Sequence, residues 1–108
     1  EWYEAMLKLK EQGKIRAIGV SVHDTTPDSV IGAFAFDKVD SVQVIYNIFE
    51  QYPSFNLFPV CKKLNKAVIV RVPFDEGSLT GKFSLDTKFP EGDVRKHYFR
   101  GSNLKSCP

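Results

Sequence analysis

Apolar runs recur at a fixed interval along this chain. Ile15 to Ser21, Ser41 to Asn47 and Ala67 to Arg71 begin 26 residues apart, and a stretch of helical periodicity fills each gap. That interval suits a strand, a crossover helix and the next parallel strand. Each run ends in polar side chains, and parallel α/β sheets bind ligands at the carboxyl ends of their strands. Ser21, Gln43 and Arg71 are therefore the first candidates for function.

The helical stretches have their own signals. Over Glu1 to Gln12, Trp2, Met6 and Leu9 share a face, and Gly13 stands where a C-cap glycine belongs. Thr26 and Pro27 read as an N-cap and first helical residue, with Val30, Ile31 and Phe34 as the apolar stripe. Asn47 to Phe55 is loop-like, broken by Pro53, before a helix that puts Leu57, Cys61 and Leu64 on one side and closes at Asn65-Lys66. The first strand is apolar on both faces, as a parallel strand covered by helices should be. Pro73 stops the third strand; a polar segment with Gly77, Gly81, Pro90 and Gly92 follows, and a last helix begins at Asp93 with Val94, Tyr98 and Phe99 as its contacts. Trp2 and the Phe34/Phe36 pair are expected to be core or packing residues.

Composition narrows the class. With 108 residues, 43% of them hydrophobic, the chain has material for one core. Its net charge is +2, and the densest basic cluster, Arg95, Lys96, His97 and Arg100, reads as a solvated helix face rather than a nucleic-acid footprint. Cys61 and Cys107 have neither a disulfide framework nor metal-ligand spacing, so no metal is expected and a reducing, cytoplasmic setting is favoured. No apolar run is long enough to span a membrane. Three parallel strands with both edges open, and a chain that starts inside a helix, suggest an internal fragment of a larger α/β protein. A stand-alone flavodoxin-like module of three strands is the alternative.

Three stretches carry a resemblance. Gly13-Lys14-Ile15-Arg16-Ala17-Ile18-Gly19-Val20-Ser21, Val42-Gln43-Val44-Ile45-Tyr46-Asn47, and Val70-Arg71-Val72-Pro73-Phe74 with Gly77-Ser78-Leu79-Thr80-Gly81-Lys82 are similar, in order and spacing, to signature stretches of the aldo-keto reductase family. The resemblance implies a partial (β/α)8 TIM barrel: residues 1–108 would be one piece of a single barrel domain, supplying strands five to seven, with the upstream catalytic half and the final strand outside it. It also implies an NADP(H)-dependent oxidoreductase that reduces a small-molecule carbonyl, aldehyde or ketone, to an alcohol. The family's catalytic tyrosine, lysine, aspartate and histidine sit on the second to fourth strands, so no residue here is assigned to catalysis, and the isolated segment is expected to be inactive. A reductase-fold regulatory or binding subunit is the alternative.

What the resemblance leaves to this chain is cofactor binding. Ser21 and Gln43 match the residues that hydrogen-bond the nicotinamide carboxamide, although Val22 replaces the usual asparagine beside Ser21. Arg71 stands where many members have a ring-stacking tyrosine, and a planar guanidinium can also stack; a salt bridge to Asp75 or Glu76 is its other use. Val72, Pro73, Phe74 and Gly77 match the loop whose backbone approaches the pyrophosphate. Asp75 and Glu76 are expected to face solvent, since an inward carboxylate would repel a phosphate. His23 and Asp24 are further residues that could touch a ligand, while Gly77 to Lys82 lacks the full phosphate-loop pattern because Phe83 follows Lys82.

Overall fold

The computed structural model describes residues 1–23, 25–35 and 38–100, so Asp24, Phe36 and Cys107 lie outside the described residues. The chain divides into two compact units, Glu1–Arg71 and Val72–Pro108.

Strands β1 (Gly19–Ser21), β2 (Ser41–Ile45) and β3 (Ala67–Arg71) form a parallel sheet in that order. The register sets Val20, Val42 and Val68 in one row and Ser21, Gln43 and Ile69 in the next. Because side chains alternate along a strand, successive rows face opposite sides. Val42 and Val44 point to the packed side at 0% and 1% exposure, against Val22, Val30, Phe34, Val39, Leu57 and Cys61. Each such valine or leucine contributes about 1.5–3 kcal/mol by leaving water. The other side carries Gly19, Ser21, Ser41, Gln43, Ile45, Ile69 and Arg71, and there the residues of β2 are only half-buried.

Two helices end in the same way. Helix α1 (Trp2–Glu11) closes with Gly13 at φ 69°, its N–H on the Lys10 carbonyl and the Lys14 N–H on that of Leu9. Helix α2 (Leu57–Lys63) closes with Asn65 at φ 52°, its N–H on the Lys62 carbonyl and the Lys66 N–H on that of Cys61. Both are Schellman motifs, which satisfy the last carbonyls and turn the chain back toward the sheet. The crossover between β1 and β2 is a 3-10 helix, Pro27–Ala35, that buries Val30 and Phe34.

Several expectations need correction. The first strand is shorter than Ile15 to Ser21: the Ile18 N–H is taken by the Asp40 carboxylate at 2.8 Å and its carbonyl by the Asp40 and Ser41 N–H groups, so regular pairing starts only at Gly19. Nor is β1 buried on both faces, since Gly19 and Ser21 are exposed. Trp2 is 59% exposed rather than a core residue; its ring meets Tyr3 edge-on, and Tyr3 turns toward the core instead. Leu64 is likewise exposed, because it is the cap residue from which the chain leaves α2.

At the amino ends of the strands, charges tie the elements together. The Asp40 carboxylate accepts the Lys10 ammonium at 2.7 Å as well as the Ile18 N–H, and Lys66 donates to the Val39 carbonyl at 2.6 Å. The bonds to Asp40, Lys10 first, hold its carboxyl below the usual carboxylate range.

The second unit has a small aromatic centre. Phe83, Phe89 and Phe99 meet pairwise with ring centroids 5.2, 5.3 and 5.6 Å apart, and the Arg95 guanidinium lies 5.2 Å from the Phe89 ring centre. The last helix is the single turn α3 (Arg95–Tyr98), after which Phe99 is buried, whereas Val94 before it is exposed, against expectation. Asp93 explains this: its carboxylate takes the Arg95 backbone N–H and the Nε and Nη2 groups of the Arg95 guanidinium, fixing the first turn with Val94 outward. No helix among the described residues is long and apolar enough to cross a membrane.

Candidate functional site

The carboxyl end of β1 and the middle of β2 bring two predicted residues together. Ser21 and Gln43 are register partners, and the Ser21 hydroxyl donates to Gln43 Oε1 at 3.3 Å. With its oxygen turned to Ser21, Gln43 offers its amide N–H groups elsewhere, while the serine oxygen keeps lone pairs for an incoming donor. Together they present one donor group and one acceptor, the complement of a primary carboxamide.

An open hollow of about 180 Å³ lies beside this pair, lined by Gly19, Val20, Ser21, Ser41, Gln43 and Ile69. Four of these, Gly19, Val20, Ser41 and Ile69, are not among the residues that the sequence pattern picks out as candidates. Gly19 matters because a Cβ there would sit 2.6 Å from the Ser41 hydroxyl oxygen. The sequence does hold a signal for it, as a glycine inside a strand marks close approach of a neighbour. Arg71 falls on the same side of the sheet, in register with Ile45 and beyond Gln43 toward the carboxyl ends; it is half-buried. Val22 serves the fold instead, since its side chain joins the core and its N–H bonds the Gln43 carbonyl at 3.0 Å. His23 is turned into its own loop, with Nδ1 2.9 Å from the Thr25 hydroxyl.

The remaining predicted residues belong to the second unit. Val72, Asp75, Glu76 and Gly77 all have positive φ, at 56°, 46°, 55° and 101°. Left-handed backbone costs a non-glycine residue about 1–2 kcal/mol, and for a β-branched valine it is a true outlier. Gly77 relieves one position, and its missing side chain leaves room for the Phe83 ring, whose Cζ would be 3.2 Å from a Cβ. Pro73 and Phe74 are exposed.

Asp75 corrects a sequence expectation. Its side chain is inside the unit, at 8% exposure, whereas Glu76 does face solvent. Two hydroxyls make this tolerable: Ser78 donates to Oδ2 at 2.8 Å and Tyr98 to Oδ1 at 2.6 Å. The basic cluster is also engaged. Arg95 pairs with Asp93 and Lys96 with Glu91, and the Arg95 guanidinium pulls the Asp93 carboxyl below its ordinary range. No group of three or more metal-ligating side chains occurs among the described residues.

Residues 1–105 match the family model for the aldo/keto reductases. The chain belongs to the aldo/keto reductase family. It is 34% identical over 95 residues to an NADP(+) aldo-keto reductase of Schizosaccharomyces pombe, a match covering 85% of this chain and 27% of that protein. An NADH-specific methylglyoxal reductase of Escherichia coli is 30% identical over 97 residues, covering 90% and 29%. The solved structure of a glycerol dehydrogenase from Gluconobacter oxydans superposes with a TM-score of 0.70 at 32% identity, over 91% of this chain and 30% of that one. The chain thus spans between a quarter and a third of the length of the relatives it matches. Its parallel strands and crossover helices are a section of an aldo/keto reductase (β/α)8 barrel.

Proposed function

We propose that this segment supplies part of the nicotinamide cofactor site of an aldo-keto reductase that interconverts small-molecule carbonyls and alcohols, with NADP(H) as the cofactor. The observation that carries this reading is the Ser21–Gln43 pair beside its hollow. A hydroxyl and an amide fixed by each other are pre-oriented before a ligand arrives, so less order has to be created on binding. The donor set fits a carboxamide, because one partner accepts and the other donates. A bound nicotinamide would supply the hydride for the carbonyl carbon.

This chain's own residues would hold and orient that cofactor. Ser21 would accept a carboxamide N–H, Gln43 would donate to the carboxamide oxygen, and Arg71 would stack its guanidinium on the ring. The loop of Val72, Pro73, Phe74 and Gly77, strained at Val72, is assigned to the pyrophosphate, which its backbone would approach closely. NADP(H) is favoured by the S. pombe relative; the NADH-specific E. coli relative makes the comparison of the two cofactors part of the test.

The deciding measurement is cofactor titration of the full-length protein. Arg71→Ala should weaken NADPH binding about tenfold, as loss of a ring contact and a cationic partner does, and Lys82→Ala should leave it near wild type. Equal dissociation constants for the two variants would remove Arg71 from the site. A full-length protein that binds neither NADPH nor NADH would overturn the reading as a whole.

A further inference from the structure

The segment assigned to the cofactor's phosphates is held from a distance. Residues 75 to 77 are left-handed in succession, and two of them are not glycine. Local bonds hold part of this shape: the Asp75 N–H reaches the Val72 carbonyl at 3.1 Å, and the Gly77 N–H that of Phe74 at 2.9 Å. The bond from farther along the chain comes from Tyr98, 23 residues beyond Asp75, whose hydroxyl donates to the buried Asp75 carboxylate at 2.6 Å.

We infer that Tyr98 is a positioning residue, which fixes the 72–77 backbone for the cofactor by holding Asp75. The inference rests on the cofactor reading above. Tyr98 is itself well placed to act as a fixed post. Its ring meets Phe99 edge-on at 4.8 Å, and Phe99 is buried in the Phe83–Phe89–Phe99 centre. Phe83 also abuts Gly77, so the loop and the tyrosine lean on one aromatic group. The Tyr98 proton is committed to a carboxylate, which argues for a holding role rather than acid catalysis. About half of the Tyr98 side chain is exposed, so removing the hydroxyl alone leaves the packing in place.

The experiment uses Tyr98→Phe in the full-length protein, with Asp75→Asn as a second variant and Arg71→Ala as the control for the cofactor site itself. The KM for NADPH should rise about tenfold in Tyr98→Phe, the scale of one charge-assisted hydrogen bond, while the KM for the carbonyl changes less than about twofold. Amide hydrogen exchange across residues 72–80 should quicken in both Tyr98→Phe and Asp75→Asn. An unchanged cofactor KM in Tyr98→Phe, alongside weakened binding in Arg71→Ala, overturns the inference and leaves the cofactor site standing. Parallel changes in both KM values and in thermal stability would mark the hydroxyl as structural only, and also overturn it. If NADPH affinity is unmoved in all three variants, the cofactor reading fails with it.

Discussion

Gly19 is where a missing side chain has the clearest consequence. The Ser41 hydroxyl occupies the space that a Cβ at position 19 would need, so alanine there must displace it, and both residues line the hollow. Gly19→Ala should weaken cofactor binding several-fold in the full-length protein, and adding Ser41→Ala should recover most of the loss. Such recovery is the mark of coupled neighbours; fluorescence titration of the two single variants and the double variant would show it, and additive losses would refute it. Asp75 teaches the converse at the same scale. From the sequence, an aspartate in a loop that approaches a phosphate reads as solvent-facing, since an inward carboxylate would repel it. Its inward position depends on a tyrosine 23 residues away, which no local pattern announces.

Among the elements, the interval between apolar runs carries the parallel strands, and Gly13 and Asn65-Lys66 mark both helix ends as the structure has them. Strand length is not legible in the same way. Ile15 to Ile18 is apolar enough for a strand, but a side-chain carboxylate rather than a neighbouring strand takes the Ile18 N–H. That Asp40 cluster ties α1 and the approaches to β1 and β2 to one ion pair, and its pH dependence follows. Asp40 has a depressed pKa in the folded protein, so its contribution is complete above the ordinary aspartate range and is lost as pH falls through that range to the lower folded value. Both side chains are partly exposed, at 30% and 39%, so screening keeps the effect under about 1 kcal/mol. Urea midpoints measured from about pH 6 down to about 2 should fall more steeply for wild type than for Asp40→Asn.

At the scale of the whole molecule, the sheet has one packed side and one open side. Ile69 on the open side is 52% exposed, Val70 on the packed side is still 40% exposed, and among the described residues only one edge of β3 is paired. Expressed alone, the 108-residue segment should bind a hydrophobic dye such as ANS and show no oxidation of NADPH with an aldehyde. Measurable turnover by the purified segment would contradict the assignment of proton-transfer chemistry to other strands of the barrel. The site is legible only in part for the same reason. Side chains that answer to a ligand rather than to the chain's own core leave a polar residue in an apolar run, as Ser21 and Gln43 do, but nothing in the run says how much space lies beside them.

The separation of roles along the strands has an evolutionary corollary. Bonds that hold the fold gather just before the strands, around Asp40, Lys10 and Lys66, while Ser21 closes β1, where it is exposed, and Gln43 stands half-buried midway along β2. Exchanging an exposed polar residue usually alters stability by no more than about 0.5 kcal/mol. Drift at such ligand-facing positions is therefore nearly invisible to folding, and descendants of this sequence are free to try new specificities without first acquiring stabilising substitutions.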